Sequence, residues 1–115
     1  MSSSVFKWPN RREVNDALHS WAEEAAKRHP EAMRIGFFGS YARGDWGVGS
    51  DLDLVVIVEH SGTPFERRSL EWNVHELPVP VQHIVYTAEE WKLLRKEGGR
   101  FARTLEKETV WVYGT

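Results

Sequence analysis

Residues 39–58 read GSYARGDWGVGSDLDLVVIV and join a turn of small residues to an acidic pair and an apolar run. The turn follows a largely apolar segment, residues 33–38, and the pair Asp51 and Asp53 stands at the head of the second apolar run. Residues two apart in a strand point to the same side, so these two carboxylates should project together. Because like charges on one face repel each other unless a cation lies between them, the pair predicts a site for a hard cation such as Mg²⁺.

The Gly39-Ser40 turn predicts the second half of the same site. A turn of small residues that leads into a short helix presents free backbone N–H groups, and this arrangement binds phosphate. Arg43 has two interpretations of equal weight: it contacts a phosphate, or it pairs with Asp45 or with the acidic pair. Ser50 is expected to cap the turn that leads into the second apolar run rather than to contact substrate. An acidic pair alone is common at strand ends, but together with the turn it indicates a metal–nucleotide site.

Three short motifs resemble the signature of the minimal nucleotidyltransferases, which belong to the DNA polymerase β superfamily. They are Gly39-Ser40, Ala42-Arg43-Gly44 and Asp51-Leu52-Asp53, with ten residues between Ser40 and Asp51. The match is more specific than a glycine-rich loop, because turn, spacing, acidic pair and following strand agree. The resemblance implies a nucleotidyltransferase fold, ATP as the expected nucleotide and Mg²⁺ as the cofactor. It implies that Gly39, Ser40 and Arg43 bind the nucleotide, and that Asp51 and Asp53 are catalytic residues and metal ligands.

One position departs from the pattern of this superfamily. Its members usually carry a third carboxylate on a later strand, and the corresponding residue here is Gln82, the only glutamine in the chain. An amide oxygen can ligate a cation, but it brings no negative charge and is a poor general base. His83 is adjacent, and strand alternation turns it to the other face unless a bulge intervenes.

Two functions therefore remain open. The first is an active nucleotidyltransferase that passes AMP from ATP to an acceptor hydroxyl. Many minimal nucleotidyltransferases are antitoxins that adenylylate a tyrosine of a HEPN-domain toxin, so the resemblance implies such a partner. The second is a member that binds nucleotide or a protein partner with little or no catalysis, because of Gln82. An aminoglycoside-type transferase is disfavoured, since such enzymes need further substrate-binding structure.

Length and composition limit these hypotheses. The chain has 115 residues, of which 41% are hydrophobic and 28% charged, and this is typical of a single globular domain, here residues 1–115. It has no cysteine and no run of membrane-spanning length, so we expect a cytoplasmic protein without disulfides or membrane contact. A net charge of −2 argues against general nucleic-acid binding. The oligomeric state, a homo-oligomer included, stays open.

The hydrophobic pattern predicts an α/β (α+β) domain with helices packed on a small mixed sheet. Residues 1–8 are expected to form a flexible tail. A helix should begin at Asn10 and end at His29-Pro30, with His29 solvated. A short helix or irregular segment is expected over residues 65–76. The remaining predicted helices are 40–44, 87–98 and 100–108, and the predicted strands are 33–38, 52–58, 79–86 and, at an edge, 109–113.

Overall fold

The computed structural model of the protein describes residues 7–114. Its helices are α1 (Arg11–Arg28), α2 (Ser40–Arg43), α3 (Phe65–Arg68), α4 (Ala88–Glu97) and α5 (Arg100–Glu108), and a 3-10 turn follows α3 at Ser69–Glu71. Its strands are β1 (Ala32–Phe38), β2 (Leu52–Val58), β3 (Val81–Thr87) and β4 (Val110–Tyr113). This confirms the predicted order of elements. Of the predicted tail, residues 1–6 lie outside the described residues, while the Trp8 indole N–H donates to the Tyr41 hydroxyl at 3.2 Å.

The four strands form one mixed sheet in the order β3-β2-β1-β4. β1 runs antiparallel to both of its neighbours, β2 and β4, whereas β2 and β3 are parallel. The last strand therefore lies at an edge, as predicted. β2 occupies a central position, and its residues from Leu54 to Val58 are all buried, which explains its nearly continuous apolar sequence. The predicted α/β (α+β) class with a mixed sheet is confirmed.

Helices cover both faces of this sheet. Helix α1 packs on the first face, where Leu18 and Ala22 meet Leu54 and Val56 in the larger core cluster. Helices α4 and α5 pack on the second face, where buried Val55, Ile57, Trp91 and Leu105 form a separate cluster. Side chains of β2 alternate between these clusters, so the odd-numbered residues face α4 and α5. Asp53 is odd-numbered as well, so the acidic pair lies on the face of the sheet that α4 and α5 cover.

Local sequence signals explain where the long helices begin and end. The Asn10 side chain accepts a hydrogen bond from the Glu13 N–H at 2.8 Å, and Glu13 accepts one from the Asn10 N–H at 2.9 Å. This capping box satisfies two of the otherwise free N–H groups at the start of α1. Thr87 and Glu90 form the same reciprocal pair at the start of α4. Gly98, with a positive φ of 67°, ends α4.

Three local expectations need correction or refinement. Strand β3 begins at Val81 and not at Val79, because Pro80 has no N–H for the ladder, although its carbonyl accepts from the Leu52 N–H at 2.8 Å. The prediction that His29 is solvated is wrong: its ring stacks on Trp72 with centroids 3.8 Å apart. The segment 65–76 contains α3 and the 3-10 turn and is otherwise irregular.

Among residues 7–114, no helix combines the length and the apolar composition that crossing a membrane would require.

Candidate functional site

The Gly39-Ser40 turn lies directly against the acidic pair. β1 ends at Phe38, and Gly39 then takes a positive φ of 74° before α2 begins at Ser40. A Cβ at residue 39 would overlap the Asp53 carboxylate oxygen Oδ2. Only glycine fits this position without strain, both for its φ and for the space that the carboxylate leaves. The fold therefore brings together two predicted site features that are more than ten positions apart in sequence.

The sheet places Gln82 beside the same carboxylates. In the sheet, Asp53 lies opposite Phe38 of β1 on one side and opposite Gln82 of β3 on the other. Asp53 therefore lies between the end of β1 and Gln82. The Gln82 amide donates to Asp51 Oδ2 at 2.9 Å. His83 points to the opposite face, as strand alternation predicts, and its Nε2 lies 2.7 Å from the Ser69 carbonyl oxygen.

The electrostatics of the pair are those of two acids held close together. Burial raises the pKa of Asp53, and the neighbouring Asp51 raises it further, while the Arg43 charge lowers it. The Asp53 carboxylate makes no hydrogen bond with any residue that the structure describes. A cation bound between the two carboxylates would relieve both the burial penalty and the repulsion. The pair is thus better suited to holding a positive charge than to standing alone.

Arg43 is engaged by other acids. Its Nε donates to Asp45 Oδ2 at 3.1 Å, and its Nη1 donates to Glu108 Oε1 at 3.3 Å. The hydrogen bond that Arg43 donates to Asp45 is the main cause that raises the pKa of Arg43. Of the pairings considered from the sequence, the one with Asp45 is therefore observed. The contact with Glu108 was not predicted, because 65 positions separate the two residues and nothing in the local sequence connects them.

The loop from residue 45 to residue 50 is held by its own side chains. Ser50 Oγ accepts from the Gly47 N–H at 2.8 Å, which confirms its predicted role as a cap of the loop. The Trp46 ring stacks on Tyr41 with centroids 5.2 Å apart and planes 8° apart. Tyr41 is itself buried in the core, so the loop is fixed to α2. The turn, the loop and the start of β2 therefore form one continuous framework around the carboxylates.

The donor set fits a small hard cation that shares its ligands with a substrate. Within residues 7–114, no three His, Cys, Asp or Glu side chains converge closely enough to hold a metal ion by themselves. Asp51 and Asp53 supply two carboxylates, and Gln82 supplies a neutral amide. Mg²⁺ is commonly held by one or two carboxylates together with substrate phosphates and water. The arrangement suits that mode of binding and not an all-protein metal cage.

Comparison with known proteins agrees with this geometry. The family model described as "Nucleotidyltransferase domain" matches residues 19–112, which include the turn, both aspartates and Gln82. No curated protein matches the chain in sequence.

Three solved structures share its fold. A candidate nucleotidyltransferase from Sulfolobus solfataricus, solved at 1.40 Å, is 22% identical with a TM-score of 0.63 and covers 88% of this chain and 80% of its own. A toxin–antitoxin complex with AMP-PNP is 19% identical with a TM-score of 0.60, covering 84% of this chain and 73% of its own. A mutant of the toxin–antitoxin pair MntA–HpeT, in which two aspartates two positions apart are changed to glutamate, is 16% identical with a TM-score of 0.57 and the same coverage.

At these identities, the solved structures establish the fold and leave substrate and partner open. The family model carries the assignment, because it spans most of the chain and contains every motif of the site. The chain belongs to the nucleotidyltransferase domain family.

Proposed function

We propose that this protein transfers AMP from ATP to an acceptor hydroxyl, which forms a phosphodiester bond to the α-phosphate and releases pyrophosphate. The acceptor is a residue of a HEPN-type toxin that the protein neutralises. The observation that carries the proposal is the contact between the Gly39 backbone and the Asp53 carboxylate. Phosphate-binding N–H groups and a metal-binding acid must lie side by side if both are to act on one metal–triphosphate. The closeness of the turn to Asp53 supports that arrangement.

The roles of the residues follow from their positions. The Ser40 hydroxyl and the N–H groups of the Gly39-Ser40 turn would bind the terminal phosphates of ATP. Asp51 and Asp53 would hold Mg²⁺, which supplies activation of the attacking hydroxyl and stabilisation of the charge on the phosphates. Arg43 is exposed and already close to Asp53, so it could exchange one of its acidic partners for a phosphate oxygen.

The toxin–antitoxin part of the proposal draws on the structural neighbours. One neighbour is a toxin–antitoxin complex with AMP-PNP, and another carries substitutions at two aspartates two positions apart, the spacing of Asp51 and Asp53. AMP-PNP resembles ATP, which supports ATP as the nucleotide proposed here. Asp51 and Asp53 are both partly exposed, so the pair is accessible to a hydroxyl on a protein acceptor.

A direct experiment mixes the protein with the product of the neighbouring open reading frame, tested as the candidate toxin, and with ATP labelled at the α-phosphate. We expect label on the toxin only when Mg²⁺ is present, and loss of toxicity in parallel with labelling. Asp51→Asn and Asp53→Asn should each abolish labelling, whereas Asp16→Asn on α1 should not. Labelling that survives both substitutions would refute the assignment of the site. Label supplied equally well by the γ-phosphate would show phosphate transfer in place of AMP transfer.

A second candidate function is favoured by Gln82. Its amide donates to Asp51 at 2.9 Å, and it adds no negative charge where a third carboxylate would stand. A member with this change could bind nucleotide and toxin and neutralise the toxin without modifying it. In the experiment above, neutralisation without any label on the toxin would favour this second function. That outcome would not contradict the assignment of the nucleotide-binding site.

A further inference from the structure

A groove on the α4/α5 face of the sheet lies away from the Gly39 turn. Arg34 stands near the start of β1, whereas Gly39 follows the end of that strand. The groove has a volume of about 210 Å³, and its walls are formed by Arg34, Trp91, Arg95, Glu106 and Trp111. Two guanidinium groups and two indole rings therefore enclose a small polar space that the nucleotidyltransferase site does not use.

Arg34 is a half-buried cation without an acidic partner among the described residues. Its guanidinium carbon lies 3.9 Å from the centroid of the Trp111 ring, so a cation–π contact compensates part of its burial. Its Nε is buried and donates to no acceptor in residues 7–114. Burial lowers the pKa of Arg34, and the charge of Arg95 lowers it further. An arginine remains charged even so, and a buried charge is costly unless an anion accompanies it.

Trp91 and Trp111 form the aromatic wall of the groove. The Trp91 side chain is only 6% exposed, and its indole N–H is buried and not accessible from the groove. The Trp91 and Trp111 rings meet edge to face, with centroids 6.0 Å apart. Nη1 and Nη2 of Arg34 are therefore the donors that can reach an anion in the groove.

The charges in the groove favour one class of anion. Arg95 Nε pairs with Glu106 Oε2 at 3.1 Å, so this pair is neutral and Arg34 leaves a net charge of +1. A monovalent carboxylate matches that charge, whereas a phosphate dianion would face repulsion from Glu106. A carboxylate is also planar, and a guanidinium binds its two oxygens through two parallel hydrogen bonds.

We propose that this groove is a carboxylate-binding site in which the Arg34 guanidinium holds both oxygens. The proposal does not rest on nucleotide transfer, and either can fail without the other. The carboxylate could come from a small organic acid or from an acidic side chain of a bound peptide. Both sources present the same chemistry to Arg34, and simple probes distinguish them.

The test is a titration of the ¹⁵N-labelled protein followed by NMR through the indole N–H signals of Trp91 and Trp111. Three probes are compared at constant ionic strength: propionate, the peptide acetyl-Ala-Glu-Ala-amide and its Gln counterpart. We expect propionate and the Glu peptide to shift both signals saturably, with Kd on the order of millimolar for a single carboxylate. The Gln peptide should not shift them. A Glu peptide that binds more tightly than propionate would indicate a peptide source, and equal binding a small acid.

Variants show whether the groove is responsible. Arg34→Gln should raise the Kd for propionate by at least about tenfold, because a charge-assisted bidentate contact is lost. Arg95→Gln is at the exposed rim, is compatible with folding and should weaken binding in the same direction by leaving the Glu106 charge unpaired. Arg103→Gln, outside the groove on α5, is the matched control and should change nothing. The proposal is overturned if propionate causes no saturable shift, if inorganic phosphate binds more tightly than propionate, or if neither groove variant alters the Kd.

Discussion

Gly39, Asp53 and Gln82 determine the character of the site, each through a different physical property. Gly39 acts through the side chain it lacks, because a Cβ would overlap the Asp53 carboxylate. Asp53 acts through a charge that burial and Asp51 make costly. Gln82 places a neutral amide where a third carboxylate would carry a negative charge, and this amide donates a hydrogen bond to Asp51. Three predictions follow from these properties and from the neighbouring Ser40.

Asp53→Asn should stabilise the protein in the absence of metal ions. The pKa of Asp53 is higher in the folded state than in the unfolded state, so protonation of Asp53 stabilises the folded state. This stabilisation is fully present below the unfolded-state pKa. That contribution is lost as the pH rises through the folded pKa. At pH 7 the ionised carboxylate is therefore destabilising, and removing its charge should raise the free energy of unfolding. Because water screens this half-exposed group, the gain should be about 1 kcal/mol or less. Urea unfolding at pH 7 and at about pH 4 measures it, the lower value lying near the unfolded pKa.

The difference between the variant and the unaltered protein should shrink towards the lower pH. A variant that is less stable at pH 7 would mean that the Asp53 carboxylate makes a favourable interaction in the folded protein. It would contradict the view of the acidic pair as a site prepared for a cation.

Ser40→Ala should separate nucleotide binding from folding. Ser40 is the first residue of α2, and its hydroxyl makes no hydrogen bond with the residues that the structure describes. Its loss should therefore change the free energy of unfolding by no more than about 0.5 kcal/mol, as for a surface substitution. The affinity for ATP should nevertheless fall, by about tenfold if one charge-assisted hydrogen bond to phosphate is lost. Unfolding curves and ATP titrations on the same preparation test both parts.

An unaltered affinity for ATP in the folded Ser40→Ala protein would remove Ser40 from the site. Large destabilisation would assign it a structural role in place of a binding role.

Gln82→Asp should increase AMP transfer to the toxin or self-labelling. Gln82 already reaches Asp51, so an aspartate there would add the third carboxylate on the same face. The added charge should strengthen cation binding and lower the pKa of the attacking hydroxyl. Transfer from α-labelled ATP measures the effect against the unaltered chain. His83→Ala is the register control and should leave transfer unchanged, because His83 faces the Ser69 carbonyl on the other side of the sheet.

The opposite outcome, with Gln82→Asp silent and His83→Ala inactive, would mean that His83 and not Gln82 acts at the site. It would require a different strand register from the one in the structure.

The helices and strands were largely predictable from the sequence, because each has a local physical signal. The capping pairs at Asn10 and Thr87, and the alternation or continuity of apolar residues in the strands, correctly predicted where most elements lie. The apolar pattern extends β3 to Val79, but the strand begins later because Pro80 interrupts the ladder. No local signal indicates that His29 is packed, because its partner Trp72 is far away in sequence.

The ion pair between α3 and α4 is an element-scale contact that local patterns cannot reveal. Arg68 is only 7% exposed, and its guanidinium binds the Glu90 carboxylate through two hydrogen bonds, of which Nη2 to Oε2 is 3.1 Å. The hydrogen bond from Arg68 is the main cause that lowers the pKa of Glu90. Arg68 also donates to the Thr63 and Val85 carbonyl oxygens, so this one side chain fixes the irregular segment to β3.

Glu90→Gln should destabilise the protein by about 2 kcal/mol, because it leaves the buried Arg68 without its counter-charge. The estimate lies below the usual cost of breaking a buried pair, since Glu90 is itself partly exposed. Glutamine can still accept at the capping box with Thr87, so the change tests the ion pair and not the cap. Glu89→Gln, one residue away and exposed, is the control and should change stability by less than about 0.5 kcal/mol. Thermal or urea unfolding at pH 7 measures both.

Acidification should reproduce part of this loss in the unaltered protein. A lowered folded-state pKa means that Glu90 contributes stability above its unfolded pKa and loses it as the pH falls through the folded pKa. Equal unfolding free energies for Glu90→Gln and the Glu89→Gln control would show that the pair contributes nothing.

One face of the mixed sheet carries two polar regions, which lie at different positions along its strands. The carboxylate pair stands where β2 begins and β1 ends, and the groove with Arg34 stands near the start of β1. The first region could be predicted, because the turn and the acidic pair lie within one stretch, residues 39–53, that matches a known motif. The groove could not, because strands and helices far apart in the chain supply its walls. The contact between Glu108 and Arg43 could not be predicted either, because these two residues are also far apart in the chain.

Calorimetric titration of ATP into the protein, with and without Mg²⁺, tests most directly whether the Gly39 turn and the acidic pair form one metal–nucleotide site. We expect ATP to bind at least about tenfold more weakly without Mg²⁺ than with it. A change of about tenfold in Kd is the effect expected from the loss of one strong ionic contact. Asp51→Asn should remove the dependence on Mg²⁺, and Asp16→Asn on α1 should preserve it. ATP that binds equally well with and without Mg²⁺, or a Mg²⁺-dependent affinity that Asp51→Asn leaves unchanged, would contradict a shared metal–nucleotide site.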